Sequence, residues 1–194
     1  ILNYYRNTAT RNDLLIAGPS GAGYFYPNPW PEESFLDFLK QTYSYLKKTG
    51  MTIPYVLNRA ANEDVPLSES KVIAYEKYYK VPGLFLSWED QSGVEIKHGT
   101  PISTIQGIST VQDGKNALDK AKEAWDGKSP LFVSLGLLAW NMTPTDVVAI
   151  VDSLGPEYQV VRADHYFSLI REAYNLPCKP RTVEEGVGLT DKEL

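Results

Sequence analysis

Residues 13–48 read DLLIAGPSGAGYFYPNPWPEESFLDFLKQTYSYLKK, and this stretch decides the fold. After the opening aspartate, residues 14–17 are all apolar, and Gly18 ends the run, which is typical of a short buried strand. Pro31 suits the first position of a helix, the two glutamates after it suit the positive end of the helix dipole, and Gly50 suits the helix end. The stretch therefore predicts a strand, a proline-rich loop and a helix over 31–48.

The same alternation of strand and helix continues along the chain. Further strands are predicted over 53–57, 84–87, 102–105, 131–135 and 158–161, and further helices over 68–79, 113–126, 144–154 and 164–174. The periodicity predicts that two of these helices bury the following residues: Leu118, Ala121 and Trp125 in one, and Val147, Ile150, Val151 and Leu154 in the other. Strands joined by helices need crossover connections, so we expect an α/β fold with a mostly parallel sheet of repeating βα units. Either an open doubly wound sheet or a TIM-barrel-like sheet, complete, partial or irregular, fits this pattern.

Composition bounds the organisation and excludes some classes of partner. The 194 residues fit one barrel-like domain over 1–177, followed by a polar tail over 178–194. The first nine residues resemble the end of a helix, so we expect a C-terminal fragment of a longer protein. A net charge of -5 without a basic face argues against nucleic acid, and no apolar run is long enough to span a membrane. The single cysteine, Cys178, allows no internal disulfide.

The loop after the first strand carries the most distinctive pattern of the chain. Residues 18–23 have the glycine spacing of a phosphate-binding P-loop, but Tyr24 and Phe25 stand where the lysine and the hydroxyl belong. The glycine motif of dinucleotide-binding folds is excluded because Tyr26 stands in place of its third glycine. The nucleophile elbow of hydrolases, which would centre on Ser20, is excluded because Ala22 stands in place of its last glycine. What remains is a stiff, aromatic loop at the exit of a strand, which favours a binding platform over a plug closing one end of the fold.

The string Gly21-Ala-Gly-Tyr-Phe-Tyr-Pro27 is similar, residue for residue, to the motif that names the GxGYxYP family. The segments 99–102, 128–133 and 160–164 also resemble that family, so the similarity spans nearly the whole chain. The resemblance implies a barrel-like C-terminal domain and a bacterial, extracellular or periplasmic protein that handles oligo- or polysaccharides. The activity proposed for the family is glycoside hydrolysis, and an upstream domain of the same protein is an expected partner.

Glycoside hydrolysis needs two carboxyl groups on either side of one glycosidic bond, about 5–5.5 Å apart for retention and about 6.5–9.5 Å apart for inversion. Functional groups of α/β folds collect where strands end, and this rule selects Glu89 and Asp164 as the catalytic pair. Asp164 also occupies a position where a helix N-cap belongs, which is the structural alternative. The candidate substrate-binding residues are Tyr24, Tyr26, Asn58, Arg59, Trp88, Trp140 and His165.

Two alternatives stay open at this level. Asp164, His165 and His98 are the residues that a deacetylase-type metal site would use, but two distant histidines support it poorly, and neither a metal nor a cofactor is predicted. A glycan-binding or structural domain with the same aromatic platform and no turnover is the second alternative. A solvent-open cleft holding both carboxylates would separate the enzyme from the binding domain.

Overall fold

The computed structural model describes residues 2–60, 63–89 and 92–179, with the backbone alone for residues 59, 60, 63, 64, 88 and 89. The helices are α1 Leu2–Thr8, α2 Glu32–Thr49, α3 Glu69–Tyr79, α4 Val111–Glu123, α5 Pro144–Val151 and α6 Ala163–Ala173. The strands are β1 Tyr55–Val56, β2 Arg59–Ala60, β3 Glu63–Asp64, β4 Leu84–Glu89, β5 Gly93–Lys97, β6 Thr100–Ile108 and β7 Leu135–Leu137.

Within the described residues, five strands form one open sheet. Strands β1, β4 and β6 are neighbours in that order and run parallel, and β7 adds in parallel to the second half of β6. Strand β5 pairs with the first half of β6 and is antiparallel. Strands β2 and β3 form a separate antiparallel pair. The prediction of an α/β fold with a mostly parallel sheet is confirmed, and the sheet is not closed.

Three of the predicted strands differ from those in the structure. The segment 13–17 contributes a single parallel bridge, between Ala17 and Pro54, and residues 158–161 form no strand. The predicted strand over 131–135 begins only at Leu135. The antiparallel β5 was not predicted, because residues 88–110 were interpreted as irregular apart from the short strand over 102–105.

Helices cover both faces of the sheet. On one face, α2 and α3 pack Phe35, Leu39, Val72 and Tyr75 against Leu84 and Leu86 of β4. On the other face, α6 packs Tyr166, Phe167 and Ile170 against Phe85. Gly83 allows this close approach, since a Cβ there would lie 2.0 Å from Phe167 Cδ1. Consecutive residues of one strand thus contribute to two cores, as buried parallel strands do.

The second half of the chain buries less apolar surface than its periodicity predicts. Of the four residues expected to be buried along α5, Ile150 is buried, but Val147 and Val151 are exposed. Trp125, predicted to be buried with α4, is 41% exposed. The predictions for Val147, Val151 and Trp125 were wrong because they assumed that the sheet covers every apolar face of these helices. Strand β7 has only three residues and pairs with β6 alone, so it covers little of them.

Two remaining points concern the chain as a whole. Most of the tail predicted over 178–194 lies outside the described residues; Lys179, within them, pairs with Glu76 of α3. Among the residues that the structure describes, no helix combines the length and the apolar character needed to cross a membrane.

Candidate functional site at the carboxyl edge of the sheet

The parallel strands end at one edge of the sheet, and the motif loop leaves from that edge. Ala17 bridges to Pro54 just before β1, so the loop that starts at Gly18 emerges beside the end of β1. Residues that follow β1, β4 and β7 reach the same edge. Because ligands of open α/β sheets bind outside the carboxyl ends of the strands, this edge is the candidate site.

Ser20 connects the motif loop to the rest of the fold. Its backbone N–H donates to Tyr55 O at 2.5 Å, and its hydroxyl donates to Phe25 O at 2.5 Å and accepts from Leu57 N at 3.0 Å. Its own carbonyl accepts a hydrogen bond of 2.9 Å from the Tyr75 hydroxyl. The side chain is completely buried. Ser20 therefore holds the loop in place, and its hydroxyl is not available as a nucleophile.

The two glycines of the motif have different surroundings. Gly21 has a φ of +132°, and a Cβ there would lie 2.4 Å from Cγ2 of Thr42 on α2. The Thr42 hydroxyl also accepts a hydrogen bond of 3.0 Å from Ala22 N, which draws loop and helix together. A Cβ on Gly23 would meet no described atom within 4 Å, and Gly23 has no left-handed backbone angle. Packing against Thr42 therefore requires glycine at position 21, whereas no described atom restricts the side chain at position 23.

The three aromatic residues of the motif differ in burial: Tyr24 is exposed, Phe25 is buried and Tyr26 is half-buried. Phe25 is buried and packs on Trp30 and Phe38, with ring centroids 4.5 Å and 4.2 Å apart. Tyr24 is 71% exposed, and its ring meets that of Tyr26 edge to face at 5.9 Å. The two hydroxyls are 3.3 Å apart. The buried phenylalanine thus fixes the direction of the two tyrosines, which present an amphipathic surface to solvent.

A third tyrosine, absent from the sequence prediction, completes this cluster. The hydroxyl of Tyr55 on β1 is fully shielded and has no hydrogen-bond partner among the described residues. The pKa of Tyr55 is raised to about 12, chiefly by burial and in smaller part by Tyr24 and Tyr26, while the nearby Ser87 hydroxyl acts in the opposite direction. Ser87 itself donates to Asn58 Oδ1 at 2.8 Å. The edge therefore holds the exposed Tyr24 and the half-buried Tyr26 above a shielded hydroxyl that has no partner among the described residues.

Asn58 and Trp140, both predicted to bind substrate, are placed very differently. Asn58 is 1% exposed, and its backbone N–H donates to Ser87 Oγ at 3.3 Å, so it braces β1 against β4. Trp140 follows β7 and is 81% exposed. It lies on the same edge as Tyr24, but four strand spacings of about 4.8 Å, roughly 19 Å in all, separate their strands. A ligand touching both would have to be an extended chain.

Asp164 and His165 lie at the start of α6. The Asp164 carboxylate is buried and accepts hydrogen bonds from Arg162 Nε at 3.1 Å and Nη2 at 2.7 Å. The same guanidinium donates to Arg11 O at 2.9 Å, and its bonds to Asp164 raise the pKa of Arg162. His165 is exposed. The Asp164 carboxylate is thus bound to a cation, and the N-cap of α6 is Arg162, not Asp164.

The remaining predicted site residues are only partly described. The backbone of Glu89 ends β4 and pairs with Gln106 of β6. The side chains of Glu89, Trp88 and Arg59 lie outside the described part of the chain. His98 lies at the turn between β5 and β6, with Nε2 3.6 Å from a carboxylate oxygen of Glu69. In residues 2–60, 63–89 and 92–179, no three histidine, cysteine or acidic side chains converge as metal ligands would.

Comparison with known proteins identifies the family and the fold of the chain. Residues 1–171 match the family model described as "GxGYxYP putative glycoside hydrolase C-terminal domain". The fold is similar to that of a crystal structure of "a putative hydrolase from Bacteroides thetaiotaomicron VPI-5482", with a TM-score of 0.72 and 15% sequence identity. The match covers 91% of this chain and 36% of the other, so the chain spans about a third of that protein's length. The comparison with curated proteins gives no match. On the family match, the chain belongs to the GxGYxYP family and corresponds to its C-terminal domain.

Proposed function

We propose that this domain acts on oligo- or polysaccharides as part of a glycoside hydrolase, and that the glycan binds at the carboxyl edge of the sheet. The observation that carries the proposal is the cluster of Tyr24, Tyr26 and Tyr55. An exposed ring offers a flat apolar face to a sugar ring, while neighbouring hydroxyls serve the sugar hydroxyls. The stiff loop keeps these groups in place before a ligand arrives, which lowers the entropic cost of binding.

The family description supports hydrolysis, and we propose Glu89 and Asp164 as the carboxyl pair. The guanidinium of Arg162 favours the ionised form of the carboxylate to which it is bonded. Asp164 would therefore serve as nucleophile or base, and Glu89, at the end of β4, as the acid that protonates the leaving oxygen. Arg59, Trp88, Trp140 and His165 would contact further parts of the glycan. The resemblance to the family further suggests an exported protein.

One observation favours a second candidate function. The Asp164 carboxylate is buried and both of its oxygens accept hydrogen bonds from Arg162. A carboxylate so engaged is also the structural brace expected at the start of a helix, close to the N-terminus of α6. In that case the tyrosine cluster would bind glycans without turnover, in a domain whose chemistry lies elsewhere in a longer protein.

Hydrolysis of a glycan panel by the full-length protein tests the enzymatic proposal. We expect product release from at least one glycan, and a loss of two or more orders of magnitude in kcat for Glu89→Gln and Asp164→Asn. The control is Glu157→Gln, since Glu157 is an exposed carboxylate paired with Lys122 on the surface. Turnover that survives both site substitutions would exclude this carboxyl pair. Binding without turnover in the wild type would favour the second function.

A further inference from the structure

A cleft away from the tyrosine cluster lies between the sheet and the second half of α4. Its volume is about 340 Å³, which falls in the lower part of the range of small-molecule sites. Gln106 of β6 contributes to one wall, and Ala117 and Ala121 of α4, with Ala124 directly after it, contribute to the other. The short alanine side chains make room there, and Trp125 and Leu131 border the cleft.

Several polar groups in the cleft are already engaged within the protein. The Asp126 carboxylate accepts hydrogen bonds from Lys128 N at 2.8 Å and Ser129 N at 3.0 Å. The Trp125 indole N–H donates to Ser129 O at 2.5 Å. The Ser92 hydroxyl accepts a bond of 2.7 Å from Ser134 N. These bonds fix the orientation of the indole and leave its face as the part that a ligand can use.

Two polar groups of the cleft are not engaged. In the described part of the chain, the Lys120 ammonium has neither an ion pair nor a hydrogen bond, and the Gln106 amide has no side-chain hydrogen bond. On the same helix, Lys122 differs, because its ammonium lies 2.6 Å from a carboxylate oxygen of Glu157. The cleft therefore presents a free cation, a free amide and a fixed aromatic face.

We propose that this cleft binds a ring-bearing carboxylate about the size of one sugar residue. The carboxylate pairs with Lys120, the ring stacks on Trp125, and a ring substituent bonds to the Gln106 amide. Uronic acids and hydroxylated aromatic acids share this chemistry. The proposal does not rest on the glycan site, because none of the residues that line the cleft belongs to the tyrosine cluster; Gln106 adjoins that site only through its backbone pairing with Glu89.

The indole N–H signals in a nitrogen–proton NMR spectrum test this proposal directly. The chain has 4 tryptophans, and a Trp125→Phe variant identifies the signal of Trp125. The ligands are glucuronate and 4-hydroxybenzoate, with glucose and phenol as their uncharged counterparts. We expect one of the acids to move the Trp125 signal, and its uncharged counterpart to bind about five-fold more weakly, as the loss of one exposed ion pair predicts. Lys120→Gln should weaken binding of the acid by the same factor, and Lys122→Gln should leave the affinity for the acid unchanged.

Each result decides the proposal. A response to glucuronate alone identifies a sugar acid as the ligand, and a response to 4-hydroxybenzoate alone identifies an aromatic acid. The proposal is overturned if neither acid moves the Trp125 signal at concentrations that would saturate a millimolar site. It is also overturned if Lys120→Gln and Lys122→Gln weaken binding equally, because the effect would then reflect only the general charge of α4.

Discussion

Substituting the two motif glycines by alanine should have opposite consequences. In Gly21→Ala the new methyl group would lie 2.4 Å from Thr42 Cγ2 and 2.5 Å from its hydroxyl, at a φ of +132°. Backbone strain of this kind costs about 1–3 kcal/mol and overpacking about 1–3 kcal/mol, so we expect a loss of about 2–6 kcal/mol in the free energy of unfolding. For a chain of this length each kcal/mol lowers the melting temperature by about 2–4 °C, so it should fall by at least about 4 °C.

In Gly23→Ala the methyl group meets open space, and the unfolded chain loses conformational freedom. The melting temperature should therefore stay the same or rise slightly, by the equivalent of up to about 1 kcal/mol. Any glycan that the wild type binds should bind more weakly, because the methyl group projects into the site. Thermal unfolding followed by circular dichroism gives the stabilities, and the double variant Gly21→Ala/Thr42→Ala should recover part of the loss. Equal destabilisation by the two glycine substitutions would refute this reasoning.

Three further predictions concern the groups that support the site. Ser20→Ala removes the hydroxyl bonds to Phe25 O and Leu57 N and should cost about 2–3 kcal/mol in urea unfolding; an unchanged midpoint would exclude the role of Ser20 in holding the loop. Tyr55→Phe removes a shielded hydroxyl that has no partner among the described residues, so the free energy of unfolding measured in urea should stay constant or rise by about 1 kcal/mol. Burial raises the pKa of Tyr166 to about 12, above the unfolded value of about 10. The stability that this shift provides is therefore present below pH 10 or so and is lost as the pH rises towards 12, and Tyr166→Phe should reduce the loss seen between about pH 10 and pH 12.

The alternation of strands and helices was predictable because each βα unit carries its own signals. Pro31 and Gly50 mark the ends of α2, and the Thr143 and Asp146 pair forms a capping box at the start of α5. The β5–β6 hairpin was missed although a signal was present. That signal is Gly99 between two extended runs; in the structure His98 and Gly99 both have positive φ, as the two central residues of a tight hairpin turn do.

The site was harder to predict than the fold, because its residues meet only through the three-dimensional structure. The motif itself indicated Tyr24 and Tyr26, whose spacing of two places them on one side of an extended loop. The predicted strand over 53–57 has no alternation that indicates which side Tyr55 faces, so its place beside that pair was not predicted. Likewise, the pattern that suggested Asp164 as a free acid gave no sign that Arg162, two residues earlier, binds it.

The central claim is that the tyrosine edge binds a glycan, and a glycan array tests it most directly with Tyr24→Ala and Tyr45→Ala as a matched pair. Both side chains are largely exposed, at 71% and 53%, so neither substitution should affect the fold, but Tyr45 lies on α2 and no ring contact or hydrogen bond of the described residues joins its side chain to the motif. We predict that the wild type and Tyr45→Ala retain the same glycans, and that Tyr24→Ala binds them about ten-fold more weakly, a loss of roughly 1.4 kcal/mol. Equal binding by the two variants, or no glycan retained by the wild type, would contradict the claim.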